Sequence, residues 1–156
     1  MSLENVTVPP DNVILPPGKG LSGALMAVDI ARTSIAADCC GLMSAALETA
    51  LSFARGRELF GQRELDFQGV RWMLADIETD LEASRLLYRQ AASLFGTLEG
   101  TLAAAHAKRF APDAAVRATA TWMQALGGYG LRAPFSIERM YRTAPMLKIV
   151  DGTTEI

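Results

Sequence analysis

The sequence is poor in the residues from which most metal and nucleophile sites are made. It has one histidine and two cysteines in 156 residues. A lone His106 cannot build a histidine metal cluster, and its setting predicts a helix-surface residue. Cys39 and Cys40 are neighbours, so they cannot close a useful loop or supply four ligands to a metal. They lie inside an apolar helical pattern and are expected to be core thiols, with no metal site in the chain. Basic residues are not in excess: 15 Lys and Arg face 17 Asp and Glu, a net charge of −2. No basic stripe is available for phosphates or an anionic membrane, so nucleic acid is not an expected partner. Also missing is the unbroken run of about 20 apolar residues that a membrane-spanning helix needs. The opening MSLENVTVPP lacks the basic and apolar regions of a secretory signal. No membrane span and a cytoplasmic location are therefore expected, with Met1 to Leu3 read as an expression leader. Finally, no stretch alternates with period two, and no Asn-Gly type hairpin signal appears.

What is present is helical. Half of the residues are hydrophobic and 21% are charged, which suits one globular domain with its own core. Residues 1–20 form an extended lead-in, because VPPDNVILPPGKG carries four prolines and two glycines. From Leu21 the apolar positions Leu25, Val28, Ile35, Cys39, Leu42, Ala46 and Phe53 recur at steps of three and four, broken at Arg32. A second stripe, Phe67, Val70, Leu74, Ile77 and Leu81, predicts a helix from about Glu64 to Leu94. A third helix is expected from Leu98 to Ala125, ending at Gly127 and Gly128. Pro112 lies inside it and predicts a kink or a break into two shorter helices, since an interior proline costs about 3 kcal/mol. A fourth follows Pro134 through Ile137, Met140 and Tyr141. The fold class expected is all-α, an up-and-down four-helix bundle over residues 21–156.

Four features ask for chemistry. Arg32 falls on the apolar stripe of the first helix, where a guanidinium must meet an anion or bear a desolvation cost. Either it pairs with Asp29 at i, i−3, or it lines a cleft at the bundle's edge. ARGRELFGQRELDFQ sets Arg55, Arg57 and Arg63 around a Phe-Gly; it is a solvated turn or an arginine clamp for phosphate. In MQALGGYG a glycine pair closes a helix, either as a plain cap or as backbone that a ligand can approach. VDGTTEI places an acid before glycine and two hydroxyls, as an ordinary Asx-type turn or a loop that meets a ligand.

Together, and in this order, these segments resemble the C-terminal domain of the acyl-CoA dehydrogenases. The likeness rests on VDIAR (Val28 to Arg32), RELFGQRELDFQ (Arg57 to Gln68), LAD (Leu74 to Asp76), Ala107 and Lys108, QALGGYG (Gln124 to Gly130), IERMYR (Ile137 to Arg142) and DGTTEI. The resemblance implies a helical bundle that packs, in a whole enzyme, on an N-terminal helical domain and a middle β domain that this chain lacks. The lead-in then marks the passage out of that β domain, and the chain is an excised or truncated piece. It implies acyl-CoA as substrate, FAD as cofactor, an electron-transfer flavoprotein-like acceptor or, in an oxidase, oxygen, and a homo-oligomer. A bundle that serves only in assembly is the non-catalytic alternative. Isolated, the chain is expected neither to turn yellow nor to turn over substrate.

By the same resemblance Asp29, Arg32 and Gly152 match positions near the acyl-CoA. Arg57, Gln68, Gln124, Ala125, Leu126, Gly127, Gly128, Thr153 and Glu155 match flavin contacts, some of them to a neighbouring subunit's cofactor. The implied reaction is α,β-dehydrogenation, in which a carboxylate takes the α proton and the β hydrogen leaves as hydride. Such a base works best shielded from water, where desolvation raises its pKa. Asp151 stands where many members place a glutamate, and Ala31 stands where another branch places its base. Asp151 is thus the catalytic residue expected, with a reach shorter by roughly 1.3 Å, a scale that matters for rate. Thr143, in place of an aspartate, and Pro112 are further departures from the family pattern.

Overall fold

The computed structural model describes residues 2–132, 136–153 and 155. Residues 2–19 are exposed and contain a single 3-10 turn, Pro10–Asn12, as their four prolines dictate. Helix α1 then runs Gly20–Gly56, about 55 Å at 1.5 Å per residue. After Pro17 no proline occurs before Pro112, so nothing in the backbone stops it early. It ends at Gly56, after which Arg57 turns extended with φ −93° and ψ 129°. Helix α2 spans Gln68–Ser93, α3 spans Leu98–Leu126 and α4 spans Ile137–Ile149.

The directions follow from the cross-links. Thr101 Oγ1 donates to Asp29 Oδ2 at 2.7 Å near the starts of α3 and α1. Arg57 meets the Tyr129 ring, 5.6 Å from its centroid, just past their ends. α1 and α3 therefore run parallel, with α2 returning between them. Arg117 bonds Asp80 at 2.8 Å across α2 and α3. Lys108, early in α3, reaches the last carbonyls of α4, so α4 runs back along α3. The result is the expected up-and-down bundle of four helices, its fourth member short.

α3 is the spine. It buries Ala103, Ala104, Ala107, Ala111, Ala114, Ala115 and Ala118 and closes with Trp122 and Leu126. Short side chains let the helices approach closely, and each buried methyl stabilises by about 0.8 kcal/mol. Ile35, Cys39 and Met43 of α1, Leu74, Ile77 and Leu81 of α2, and Ala144 and Leu147 of α4 complete the core. Cys39 and Cys40 are buried there as free thiols, and burial pushes them up to about 12 and about 11. His106 is exposed, as expected.

Several expectations need correction. Of the kink or break expected at Pro112, the break does not occur: one helix runs through it. The proline is buried among alanines, and tertiary burial of that face offsets the single lost hydrogen bond. By register the carbonyl without its i+4 donor is that of Lys108. α2 starts at Gln68 rather than Glu64, because Glu64–Asp66 form a 3-10 turn and Phe67 is extended. A two-residue hairpin, β1 (Glu58–Leu59) and β2 (Gln62–Arg63), was not foreseen. Its turn has φ 53° at Phe60 and 82° at Gly61, two left-handed residues as tight hairpins require. The apolar stripe of α1 is buried only from Ile35; Leu21, Leu25, Met26 and Ile30 are exposed. The start of α4 at Pro134 lies outside the described residues. By length and composition alone α1 is long and apolar enough to cross a membrane. The core helix of a bundle can have the same length and composition.

Candidate functional site

At one end of the bundle, α1, α3 and the segment after α4 meet. Arg32 is half-buried on α1, and it has no hydrogen bond or ion pair among the described residues. Asp29 is not its partner, since that carboxylate takes the Thr101 hydroxyl. After Ile149 the chain leaves α4 through extended Val150, and then Asp151 and Gly152 are both left-handed, with φ 55° and 97°. Aspartate is one of the few side chains that tolerate this region, and at φ 97° glycine is favoured outright. The turn lays Gly152 against Arg32: a Cβ added to Gly152 would stand 3.5 Å from Arg32 Nη2.

Behind this turn sits Lys108, which is 3% exposed. Its Nζ donates to Leu147 O at 2.8 Å and Lys148 O at 3.3 Å, capping the last turn of α4 where a cation is favoured. Burial pulls the ammonium below the usual lysine range. The fields of Cys39, Asp151 and Glu155 oppose that pull, and Arg32 adds to it. In the sequence Lys108 stands out only beside Ala107. The signal for more was there: it falls on the same stripe as Ala104, Ala111 and Ala115, as Arg32 does on its own helix.

Beside Arg32 lies a groove of about 500 Å³ between the start of α1 and the α2–α3 connection, lined by Leu25, Val28, Asp29, Arg32, Phe95 and Thr101 among others. Its wall depends on Gly100. Thr97 caps α3 by accepting from Gly100 N at 3.0 Å, and this brings Gly100 so near the preceding turn that a Cβ would lie 2.1 Å from Leu94 O. Asp151 itself is exposed on this chain. The water-shielded setting expected for a base is not supplied by the described residues.

The opposite end holds the other predicted residues. Arg57 follows α1 and lies about 37 Å from Arg32 along the helix axis. Its guanidinium sits 5.4 Å from the Phe53 ring and 5.6 Å from the Tyr129 ring, and the rings are 5.5 Å apart at 56°. The three centres form a near-equilateral triangle, with the cation over the seam between the rings. Arg57 also meets Glu64 Oε1 at 3.4 Å. Tyr129 belongs to the turn after α3, so this contact joins Arg57 to the Gln124 to Gly128 segment. Gly127 is left-handed at φ 55°, and both Gly127 and Gly128 have open space where a Cβ would stand. Leu126 is buried, Ala125 half-buried and Gln124 exposed; Gln68 is exposed at the first turn of α2. The packing of Phe53, Tyr129 and Glu64 around Arg57 was not legible in the sequence, because contacts between a cation, rings and a folded-back carboxylate leave no local periodic signal.

Two groups thus emerge. Asp29, Arg32, Asp151 and Gly152 come together at one end. Glu155 lies near enough to act on Lys108 there, and Thr153 is next in the chain after Gly152. Arg57, Gln68 and the Gln124 to Gly128 segment belong to the other end. Among the described residues no cluster of His, Cys, Asp or Glu could hold a metal.

Comparison with known proteins gives this arrangement its context. Residues 18–156 match the family described as acyl-CoA dehydrogenase, C-terminal domain. The chain is 36% identical over 155 residues to the caffeyl-CoA reductase–Etf complex subunit of Acetobacterium woodii, covering 99% of this chain and 41% of that protein. A glutaryl-coenzyme A dehydrogenase structure in complex with glutaryl-CoA superposes with a TM-score of 0.89 and 33% identity over 99% of this chain and 40% of the other. Butyryl-CoA dehydrogenase from Megasphaera elsdenii does so with a TM-score of 0.82 and 38% identity, over 88% and 36%. The chain spans about two fifths of the length of these relatives. By sequence and by fold, it belongs to the acyl-CoA dehydrogenase family, as the helical C-terminal domain.

Proposed function

We propose that this chain is the part of a flavin-dependent acyl-CoA dehydrogenase that carries the catalytic base and a share of the thioester and flavin contacts. The observation that carries the proposal is the meeting of Arg32 with the Asp151–Gly152 turn across three elements. An aspartate held by a left-handed backbone, beside a half-buried arginine without an ion pair and close to a buried lysine, is a carboxylate whose place is set by the fold. In this reading Asp151 takes the α proton of the acyl thioester. Arg32 and Asp29 border the groove that receives the substrate, and Gly152 allows close approach. Shielding of Asp151 comes from the parts of the whole protein that precede this chain; residues 1–20 are the passage from them.

The residues fit a flavin dinucleotide. Arg57 offers fork-shaped donors suited to a diphosphate, Gln68 and Gln124 offer exposed carboxamides, and Gly127 and Gly128 leave their backbone open to approach. Bound FAD would supply the acceptor for the β hydrogen. Arg57 lies toward the opposite end of the bundle from the Asp151 turn, about 37 Å from Arg32 along α1. Thr153 and Glu155 therefore face one cofactor, and Arg57, Gln68 and Gln124 to Gly128 face that of a second copy, which makes the homo-oligomer part of the site. The name of the Acetobacterium woodii relative, a reductase–Etf complex subunit, supports an electron-transfer flavoprotein as a partner; we assign it the role of electron acceptor.

The test is Asp151→Asn in the whole enzyme. Dehydrogenation should fall on the order of 10³-fold, the usual worth of a positioned base, with flavin absorbance retained. Unchanged turnover removes Asp151 from the mechanism. Asp151→Glu should raise turnover of straight-chain substrates, and stoichiometric hydrogen peroxide would replace the flavoprotein acceptor by oxygen.

A further inference from the structure

Glu64 is a charged side chain that the proposed chemistry does not use, and its setting is unusual. The residue is 7% exposed. One carboxylate oxygen touches Arg57 at 3.4 Å, and the other, Oε2, is buried with no hydrogen-bond partner. A buried carboxylate kept for stability is expected to use both oxygens, as in a bidentate arginine pair. This one uses a single long contact.

Local structure enforces the arrangement. Glu64 N donates to Arg57 O at 2.8 Å, and Arg57 N donates to Phe53 O at 3.0 Å, so the hairpin folds Glu64 back onto the arginine. Arg57 has five N–H donors, yet Glu64 Oε1 is its one acceptor among the described residues. The Phe53 and Tyr129 rings fix the guanidinium from one side, and 31% of its side chain remains exposed. The cation is thus held in place by rings that do not use its donors, and balanced by a carboxylate that barely does.

We propose that Glu64 is an internal competitor for the anion that Arg57 binds: its carboxylate holds the guanidinium loosely, weakens its field, and must yield when a diphosphate docks. The proposal rests on the reading of Arg57 as a diphosphate contact. It adds that cofactor affinity at this end of the bundle is set below what the arginine alone would give, and that one side chain sets it.

ADP serves as the diphosphate probe, titrated into the full chain while the Arg57 Nε–H and Tyr129 resonances are followed by NMR. Glu64→Gln keeps size and removes charge. It should tighten ADP binding about threefold to tenfold, the scale expected when one carboxylate stops opposing an anion at a partly exposed site. Glu64→Leu should tighten it at least as much, and thermal melts of both variants report folding independently. Arg57→Gln should abolish the response. If Arg57→Gln binds ADP as the parent does, the diphosphate reading of Arg57 fails. If Arg57→Gln loses binding while folded Glu64→Gln leaves it unchanged, the competitor proposal alone fails. Weaker binding by Glu64→Gln, or no measurable binding by that variant, also overturns it, the former by making Glu64 an acceptor for the ligand.

Discussion

The two ends of α1 treat an arginine in opposite ways. At Arg32 the guanidinium is half-buried, meets no carboxylate and faces a groove and a turn of left-handed backbone. At Arg57 the guanidinium is pinned by two rings and touched by a buried glutamate. One cation is left for something outside the bundle to neutralise, and the other is integrated into it. The same residue type on the same helix can therefore be left open to a groove or be tied to rings and a carboxylate, and the surrounding elements decide which.

The comparison is most strongly tested at Gly100, which shapes the groove at the Arg32 end. Gly100→Ala places a methyl 2.1 Å from Leu94 O, a backbone atom that cannot swing away. Relief requires shifting the α2–α3 turn and the Thr97 cap, at a cost of about 3 kcal/mol, the upper part of the overpacking range. Chemical denaturation of the chain measures it. A cost under 1 kcal/mol would mean that the turn is soft and that the groove is not a fixed surface.

Next in size is the contrast between the arginines themselves. Arg57→Gln removes a cation over two rings and leaves Glu64 buried without its partner, for an expected loss of about 1 to 2 kcal/mol. Arg32→Gln removes a half-buried charge that has no partner to lose, so stability should change by less than about 0.5 kcal/mol or rise. Equal losses at the two sites would erase the distinction between an integrated and an available cation.

How much of this was legible beforehand depends on range. The helices, the core thiols and the exposed histidine follow from period and composition, which act over a few residues. Arg32 was visible because a charge interrupts an apolar stripe. The resemblance supplied Asp151, Gly152 and the Gln124 to Gly128 segment, which spacing alone left open between an ordinary turn and a site. What escaped was set by contacts far apart in sequence. Pro112 stays within one helix because burial among alanines outweighs its local penalty. Phe60 takes a left-handed turn without an Asn-Gly signal. Lys108 reaches 39 residues to Leu147 O, and Arg57 meets the Tyr129 ring from a distant part of the chain. Of the two readings of Arg32, the pair with Asp29 does not form; that carboxylate accepts instead from the Thr101 hydroxyl, 72 residues away.

The smallest effect concerns what lies between the ends. Gly41 is exposed in the middle of α1, and a Cβ there meets nothing within 4 Å. Glycine inside a helix loses more backbone entropy on folding than alanine does, by about 0.8 to 1.0 kcal/mol. Gly41→Ala should stabilise the chain by roughly that amount, read as a higher denaturation midpoint at unchanged slope. The variant also asks whether the helix is a passive strut. If it only spaces the two ends, the ADP response at Arg57 and amide exchange in residues 147–153 should both match the parent. A stiffer centre that changed either would tie the open arginine to the integrated one through α1, and the two ends would have to be treated as a single coupled site.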